Sequence, residues 1–416
     1  MSLNDTPGAE RLRIGFFGVR NAGKSSLVNA FTGQSLSVTS PVAGTTTDAV
    51  VKGMELLPVG PVTVVDTPGI DDEGDLGCKR ADRARDELRR CDVAVLVVDA
   101  TRGVSDQDRE LLSAFAEKAM PCVVAFNKVD LLAAGRDACG EGGVAFEEAA
   151  LELPEGVVVR KIAVSAATGM NIRELRESVA VAAGHAKPAR RVIADLVNPG
   201  GVVVLVIPID SSAPKGRIIL PQQMVLRDLL DAHAAALACQ PEELAGFLGS
   251  LARPPKLVVT DSQVFSQVAA IVPPEVPLTS FSILMARRKG QLSLLIEGAN
   301  ALGSLIGESR VLVCEGCTHH RQCEDIGTVK MPAWIKAFCG AEPRFEFVSG
   351  KEFPDSLEGY DLVVHCGGCM LNGREMGYRL DKARAYGVPI VNYGIAIAHM
   401  NGILERSLDP LRGKYS

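Results

Sequence analysis

Residues 361–375 read DLVVHCGGCMLNGRE: an apolar run delivers His365, Cys366 and Cys369 together, and the chain then turns polar. Upstream, SRVLVCEGCTHH delivers Cys314, Cys317, His319 and His320 in the same manner, and 45 residues separate His319 from His365. Thiolate and imidazole are the side chains that hold zinc or iron–sulfur clusters. Either group alone is weak, since C-x-x-C is often a turn, but together they supply at least five nitrogen and sulfur ligands. A second chemistry sits at the other end. GVRNAGKSS, Gly18 to Ser26, fits Gly-x-x-x-x-Gly-Lys-Ser/Thr after an apolar run and before a helical pattern, the setting of a phosphate loop.

In such a loop Gly18 and Gly23 let backbone N–H groups approach the phosphates, helped by the helix N-terminus. Lys24 is placed for the β- and γ-phosphates and the Ser25 hydroxyl for Mg²⁺, with Ser26 beside it. VVDTPG follows, in which Asp66 holds the magnesium through water and Gly69 bonds the γ-phosphate. NKVD, Asn127, Lys128 and Asp130, closes a strand, and a carboxylate there accepts from guanine N1–H and the 2-amino group, which adenine lacks. SAAT, with Ser165 and Ala166, supports the base. These motifs resemble the translation-factor-like class of GTPases, so GTP is expected over ATP. Ile70 stands where many of them carry a water-orienting glutamine, so hydrolysis should be slow unless another group supplies charge. Asn21 and AGTTTD (43–48) are similar to the potassium ligand and switch loop of cation-activated GTPases, with Thr46 the expected Mg²⁺ ligand and Thr45 second.

Continuous apolar runs at 13–18, 62–67, 93–100, 121–127 and 160–166, alternating with helical patterns, predict strands covered on both faces. The expected fold is α/β in three domains. Residues 1–187 form a doubly wound P-loop GTPase sheet and 188–275 a small α/β domain with strands near 200–210 and 255–261 and a helix over 222–238. Residues 276–416 form a parallel α/β metal-cluster domain. Both cysteine clusters fall at carboxyl ends of predicted strands, the edge where open α/β sheets bind ligands. If strands 309–316 and 361–366 are neighbours, the clusters meet. A helix from about Leu371 would favour thiolate at Cys366 and Cys369.

A chain of 416 residues with 47% hydrophobic and 23% charged content is a soluble multidomain protein. A net charge of −6, with 5 Tyr and 1 Trp, offers no basic or aromatic platform for nucleic acid. No apolar run reaches the roughly 18 residues of a membrane span, and MSLNDTPGAE lacks a signal pattern, so the expected place is the cytoplasm. There, eleven cysteines argue for metal ligands or buried fillers, not disulfides. Cys78, Cys91, Cys122, Cys139 and Cys239 are scattered and read as small core hydrophobes. Two cysteines and two histidines would suit zinc, and three thiolates with an exchangeable fourth ligand suit [4Fe–4S]. A sheet able to fold unaided does not need zinc, so the iron site is the sharper expectation.

The joint pattern, with EDIGTVKMPAWI after the first cluster, resembles the HydF family of [FeFe]-hydrogenase maturation GTPases over essentially the whole chain. The resemblance implies a scaffold that carries a [4Fe–4S] cluster and a two-iron precursor, and passes the latter to apo-[FeFe]-hydrogenase. Radical-SAM maturases would supply the precursor's small ligands. It implies that the middle domain dimerises, and that the GTPase is a switch. Cys317, Cys366 and Cys369 match the cluster cysteines, and His319 and His365 the motif histidines, either of which could be the fourth ligand or lie near it. Cys314, Cys323 and His320 fall outside the motif, and Cys314 reads as an inward strand residue. Two other readings stand beside this one. A potassium-activated tRNA-modification-type GTPase predicts RNA or folate binding, and a sensor gated by Fe–S or zinc predicts cluster-dependent turnover without iron transfer.

Overall fold

The structure, a computed structural model, describes residues 11–33, 50–68, 86–132, 159–184, 191–209, 218–289, 292–316, 325–350 and 352–412. The chain divides into two compact units, Met1–Pro188 and Ala189–Ser416.

In the first unit six strands are described: β1 (Leu12–Phe17), β2 (Val50–Leu56), β3 (Gly60–Asp66), β4 (Val93–Asp99), β5 (Cys122–Asn127) and β6 (Val159–Ala163). They run in the order β2-β3-β1-β4-β5-β6, with β2 antiparallel and the others parallel. Why β4 is apolar throughout is plain from its two faces. Val93, Val95 and Val97 enter one core with Leu27, Phe31 and Leu175 of the helices Lys24–Thr32 and Ile172–Gly184. Ala94, Leu96 and Val98 enter the other with Leu111 and Phe115 of the helix Asp106–Glu117. Period two with both faces buried gives a continuous apolar run. β2 was not expected, because Lys52 and Glu55 interrupt its apolar character on an edge that is half solvated.

Among the described residues the second unit holds two four-stranded sheets, each wholly parallel. The first has order β10-β9-β7-β8, from β7 (Val202–Val206), β8 (Ala235–Cys239), β9 (Leu257–Thr260) and β10 (Leu278–Ser280). The helix expected over 222–238 is Leu220–Asp231. His233 then takes a φ of 57°, and AALAC becomes the edge strand β8 against β7. Alanine favours helix, but pairing with β7 outweighs so small a preference. The apolar run 277–286 divides into β10 and the helix Phe281–Arg288.

The other sheet has order β12-β11-β13-β14, from β11 (Arg310–Glu315), β12 (Arg344–Ser349), β13 (Leu362–His365) and β14 (Ile390–Asn392). β11 pairs with β13, so Cys314 and His365 are partners in register, and the condition for the two cysteine clusters to meet, neighbouring strands, is satisfied. The connection from β11 goes to one side and β13 lies on the other, so this is the point where the strand order reverses, the usual ligand crevice of such sheets. A single apolar core joins both sheets of this unit, from Val203, Val259 and Phe265 to Leu312, Val363 and Ile395.

Candidate functional site

β1 ends at Phe17 and the chain turns at Gly18, whose φ is 145°. A Cβ there would stand 2.3 Å from the Val97 carbonyl oxygen, so only glycine fits. The buried Lys24 ammonium donates to the carbonyls of Gly18 (3.0 Å) and Val19 (2.7 Å). One residue on, the Ser25 hydroxyl donates to Asp66 Oδ2 at 2.5 Å. Burial pushes the Asp66 carboxyl up, and Ser25, Lys24 and Lys52 offset part of this. Its other oxygen, Oδ1, is buried without a hydrogen-bond partner among the described residues. A desolvated carboxylate oxygen without a donor, beside a hydroxyl, is the donor set a magnesium ion takes.

Asn127 is buried and its amide bridges two loops: Nδ2 donates to Ala22 O (3.0 Å), and Oδ1 accepts from the Ala166 N–H (3.0 Å). Gly23, with φ 89°, sits against that amide, and a Cβ would meet it at 2.3 Å. Lys128 Nζ donates to Asn21 O and to Asp99 Oδ2, both at 2.6 Å. Burial tends to raise the Asp99 carboxyl, but hydrogen bonds from Lys128 and Thr101 win and hold it below the usual range. Asp130 lies in the turn Val129–Leu131, and the buried Ser165 accepts from the Thr168 N–H at 3.1 Å. Asn21 and Ser26 are exposed, Asn21 with a φ of 62°. Phosphate loop, Asp66, NKVD and SAAT thus lie at the carboxyl ends of β1, β3, β5 and β6. Thr45, Thr46 and Gly69 lie outside the described residues.

At the β11/β13 edge Cys366 is the focus. Its N–H donates to Cys314 O (2.8 Å), continuing the ladder, and its Sγ accepts the N–H of Gly316 at 3.0 Å and of Gly368 at 3.3 Å. Burial pushes the Cys366 thiol up, and those two N–H groups pull it back. Two backbone donors converging on one sulfur of a half-buried cysteine fit a metal-bound thiolate. Gly316 is also where the chain enters 317–324, the stretch that carries Cys317, His319, His320 and Cys323, all outside the described residues. Cys369 precedes the helix Gly373–Ala385, which starts two residues later than expected because Asn372 caps it on the Glu375 N–H (3.0 Å). Cys314 is a core residue whose thiol burial pushes up to about 12, as its inward strand position implied. Nearby, the Tyr393 hydroxyl is buried without a hydrogen-bond partner among the described residues.

Three residues here were not anticipated. Lys289, capping the helix Phe281–Arg288, donates to the carbonyls of Gly367 (3.3 Å) and Gly368 and pins the cysteine loop. Arg379 and Glu375 form a buried ion pair under His365. Acid and base four apart on a helix ordinarily mark a solvated face, so only burial separates this pair from decoration.

Residues 293–410 match the hydrogen maturase F tetramerization domain, 192–290 the hydrogen maturase F dimerization domain, and 13–128 a 50S ribosome-binding GTPase domain. The chain belongs to the HydF family. Its first unit carries the GTPase domain, and its second carries the two domains described as hydrogen maturase F dimerization and tetramerization domains. Among curated relatives, GTPase Der of Kosmotoga olearia is 36% identical over 128 residues, 30% of this chain and 29% of its own. The tRNA modification GTPase MnmE of Dechloromonas aromatica is 37% identical over 124 residues, 29% and 27% respectively. The match thus spans less than a third of the length of either. Among solved structures, Aquifex aeolicus Era superposes with a TM-score of 0.34 at 19% identity, over 55% of this chain and 92% of that one. No helix among the described residues is long and apolar enough to cross a membrane.

Proposed function

We propose that this member of the HydF family is a GTP-driven scaffold and carrier in the cytoplasm, which holds a [4Fe–4S] cluster and delivers a two-iron precursor to apo-[FeFe]-hydrogenase. The observation that carries the reading is the half-buried Cys366, whose sulfur is cradled by the N–H groups of Gly316 and Gly368 where the strand order reverses. Cys317, Cys366 and Cys369 bind the cluster, with His319 and His365 beside it. A cluster held by three thiolates supplies an iron with an exchangeable position, to which a two-iron unit can attach. The two-iron unit is cargo: radical-SAM maturases furnish its small ligands, and the apo-hydrogenase takes it away. The dimerization domain makes the working form a homodimer or a larger assembly.

In the GTPase, Lys24 swings from the Gly18 and Val19 carbonyls onto the β- and γ-phosphates, exchanging two neutral acceptors for charged ones. Ser25 and Thr46, with Thr45 as second choice, ligate Mg²⁺, and Asp66 holds its water. The Gly69 N–H bonds the γ-phosphate and Asp130 reads guanine, while Asn127, Ser165 and Ala166 keep that pocket in shape. Asn21 ligates K⁺, which supplies transition-state charge where Ile70 offers no water-orienting amide. Loaded protein incubated with apo-[FeFe]-hydrogenase should yield hydrogen evolution, and the Cys366→Ala/Cys369→Ala variant should not. Equal activation by both would refute the carrier role. Potassium in place of sodium should raise GTP hydrolysis severalfold, and equal rates would remove Asn21 from the site.

A further inference from the structure

His365 closes β13 with its side chain 0% exposed, and both ring nitrogens are engaged. Nδ1 lies 2.7 Å from the Cys366 carbonyl oxygen, which has no proton to give, so Nδ1 carries the proton and donates it. Nε2 lies 3.1 Å from Nη1 of Arg379, and a guanidinium has donors only, so Nε2 accepts. The two contacts select one neutral tautomer. They also consume the Nε2 lone pair, the one this tautomer could give to a metal.

Arg379 is not free to move aside. It is 0% exposed, Nε donates to Glu375 Oε1 at 3.0 Å, Nη2 donates to Gly350 O at 3.1 Å, and the guanidinium lies 5.2 Å from the centre of the Phe353 ring. Glu375 is itself buried, and its backbone N–H is fixed by the Asn372 cap. Turning His365 toward a metal would leave a guanidinium N–H unpaired in the core, a penalty a single metal–nitrogen bond must overcome. The ring already has a use: it bonds the Cys366 carbonyl, and its Cε1 is 3.8 Å from where a Cβ of Gly368 would be. It therefore fixes the start of the Cys366–Gly368 turn, in which the Gly368 N–H reaches the Cys366 sulfur.

We propose that Arg379 is a positioning residue that occupies Nε2 of His365, so that His365 braces the cysteine loop and does not bind metal. The inference rests on the cluster reading above and narrows it: of the two motif histidines, only His319 is left as a fourth ligand. Removing Arg379 frees Nε2, and His365 then competes for the iron that cargo must reach.

The test uses full-length protein with ¹⁵N-labelled imidazole, reconstituted with iron and sulfide, reduced, and read by pulsed EPR. Wild type and His365→Gln should give the same histidine-nitrogen coupling, from His319 or none. Arg379→Met should gain a coupling that disappears in Arg379→Met/His365→Gln, and Arg379→Lys, which keeps a donor, should resemble wild type. A wild-type coupling lost in His365→Gln makes His365 a ligand and overturns the proposal, and so does an Arg379→Met cluster with no new coupling. Solid-state ¹⁵N spectra of the metal-free protein decide the matter should Arg379→Met not fold or no cluster form. A resonance removed by His365→Gln should report neutral imidazole protonated on Nδ1. The opposite tautomer or an imidazolium contradicts the proposal whatever becomes of the cluster.

Discussion

In the proposed mechanism Lys24 and Asp66 carry the nucleotide chemistry, and their surroundings say how each would fail. Lys24→Ala removes a buried ammonium that donates to the loop carbonyls of Gly18 and Val19, so it should abolish GTP turnover with little effect on folding. Cluster absorbance should be unchanged, since the cysteines belong to the other compact unit; loss of both signals would mean the units do not fold independently. Asp66 behaves differently because burial raises its carboxyl above the unfolded value. A group raised in this way contributes stability below its unfolded pKa and loses it as pH rises through the folded pKa, leaving an unfavourable charge at neutral pH. Asp66→Asn should therefore melt higher than wild type without Mg²⁺ and nucleotide. The gap should widen from acid to neutral pH, at roughly 2–4 °C per kcal/mol for a unit of this size. The same variant should lose magnesium-dependent hydrolysis, and a lower melting point at pH 7 would show that the Ser25 bond outweighs desolvation.

Elements position these residues through a few close approaches. In the helix Leu292–Ala299, a Cβ on Gly298 would stand 2.0 Å from the Ile390 carbonyl oxygen of β14. Alanine normally gains about 1 kcal/mol over glycine inside a helix. Here the obstacle is backbone that cannot rotate away, and overpacking costs typically 1–3 kcal/mol or more. Gly298→Ala should lower the urea midpoint of the second unit, and a raised midpoint would mean that the helix and β14 separate easily. Elements buried on two faces were legible as apolar runs, which is why β1, β4, β5, β11 and β13 fall where expected. The half-solvated edges β2 and β8 were not, because polar or alanine-rich stretches become strands only through the neighbour they pair with. The sites divide in the same way. Gly18–Ser25 and His365–Cys369 are contiguous, so their chemistry shows in spacing. Arg379 and Lys289 reach the cysteine loop from separate helices, and only packing reveals them.

Over the whole molecule the division of labour follows from how the cores are shared. The GTPase sheet has its own two cores, one on each face. The two later sheets share one, so neither closes its apolar surface alone. Residues 189–416 should fold as a fragment, whereas 293–416 by itself should expose the faces of Leu312 and Ile395 and aggregate, which sedimentation of the two fragments would show. A cooperative, monomeric 293–416 would mean the shared core is dispensable. The central claim is that the switch serves a cluster built on Cys366 and Cys369. Anaerobic reconstitution with iron and sulfide, reduction and EPR with metal analysis test it directly, with Cys366→Ala/Cys369→Ala as control. A [4Fe–4S] signal in wild type that the variant lacks is the predicted result, and tightly bound zinc with no such signal would contradict it.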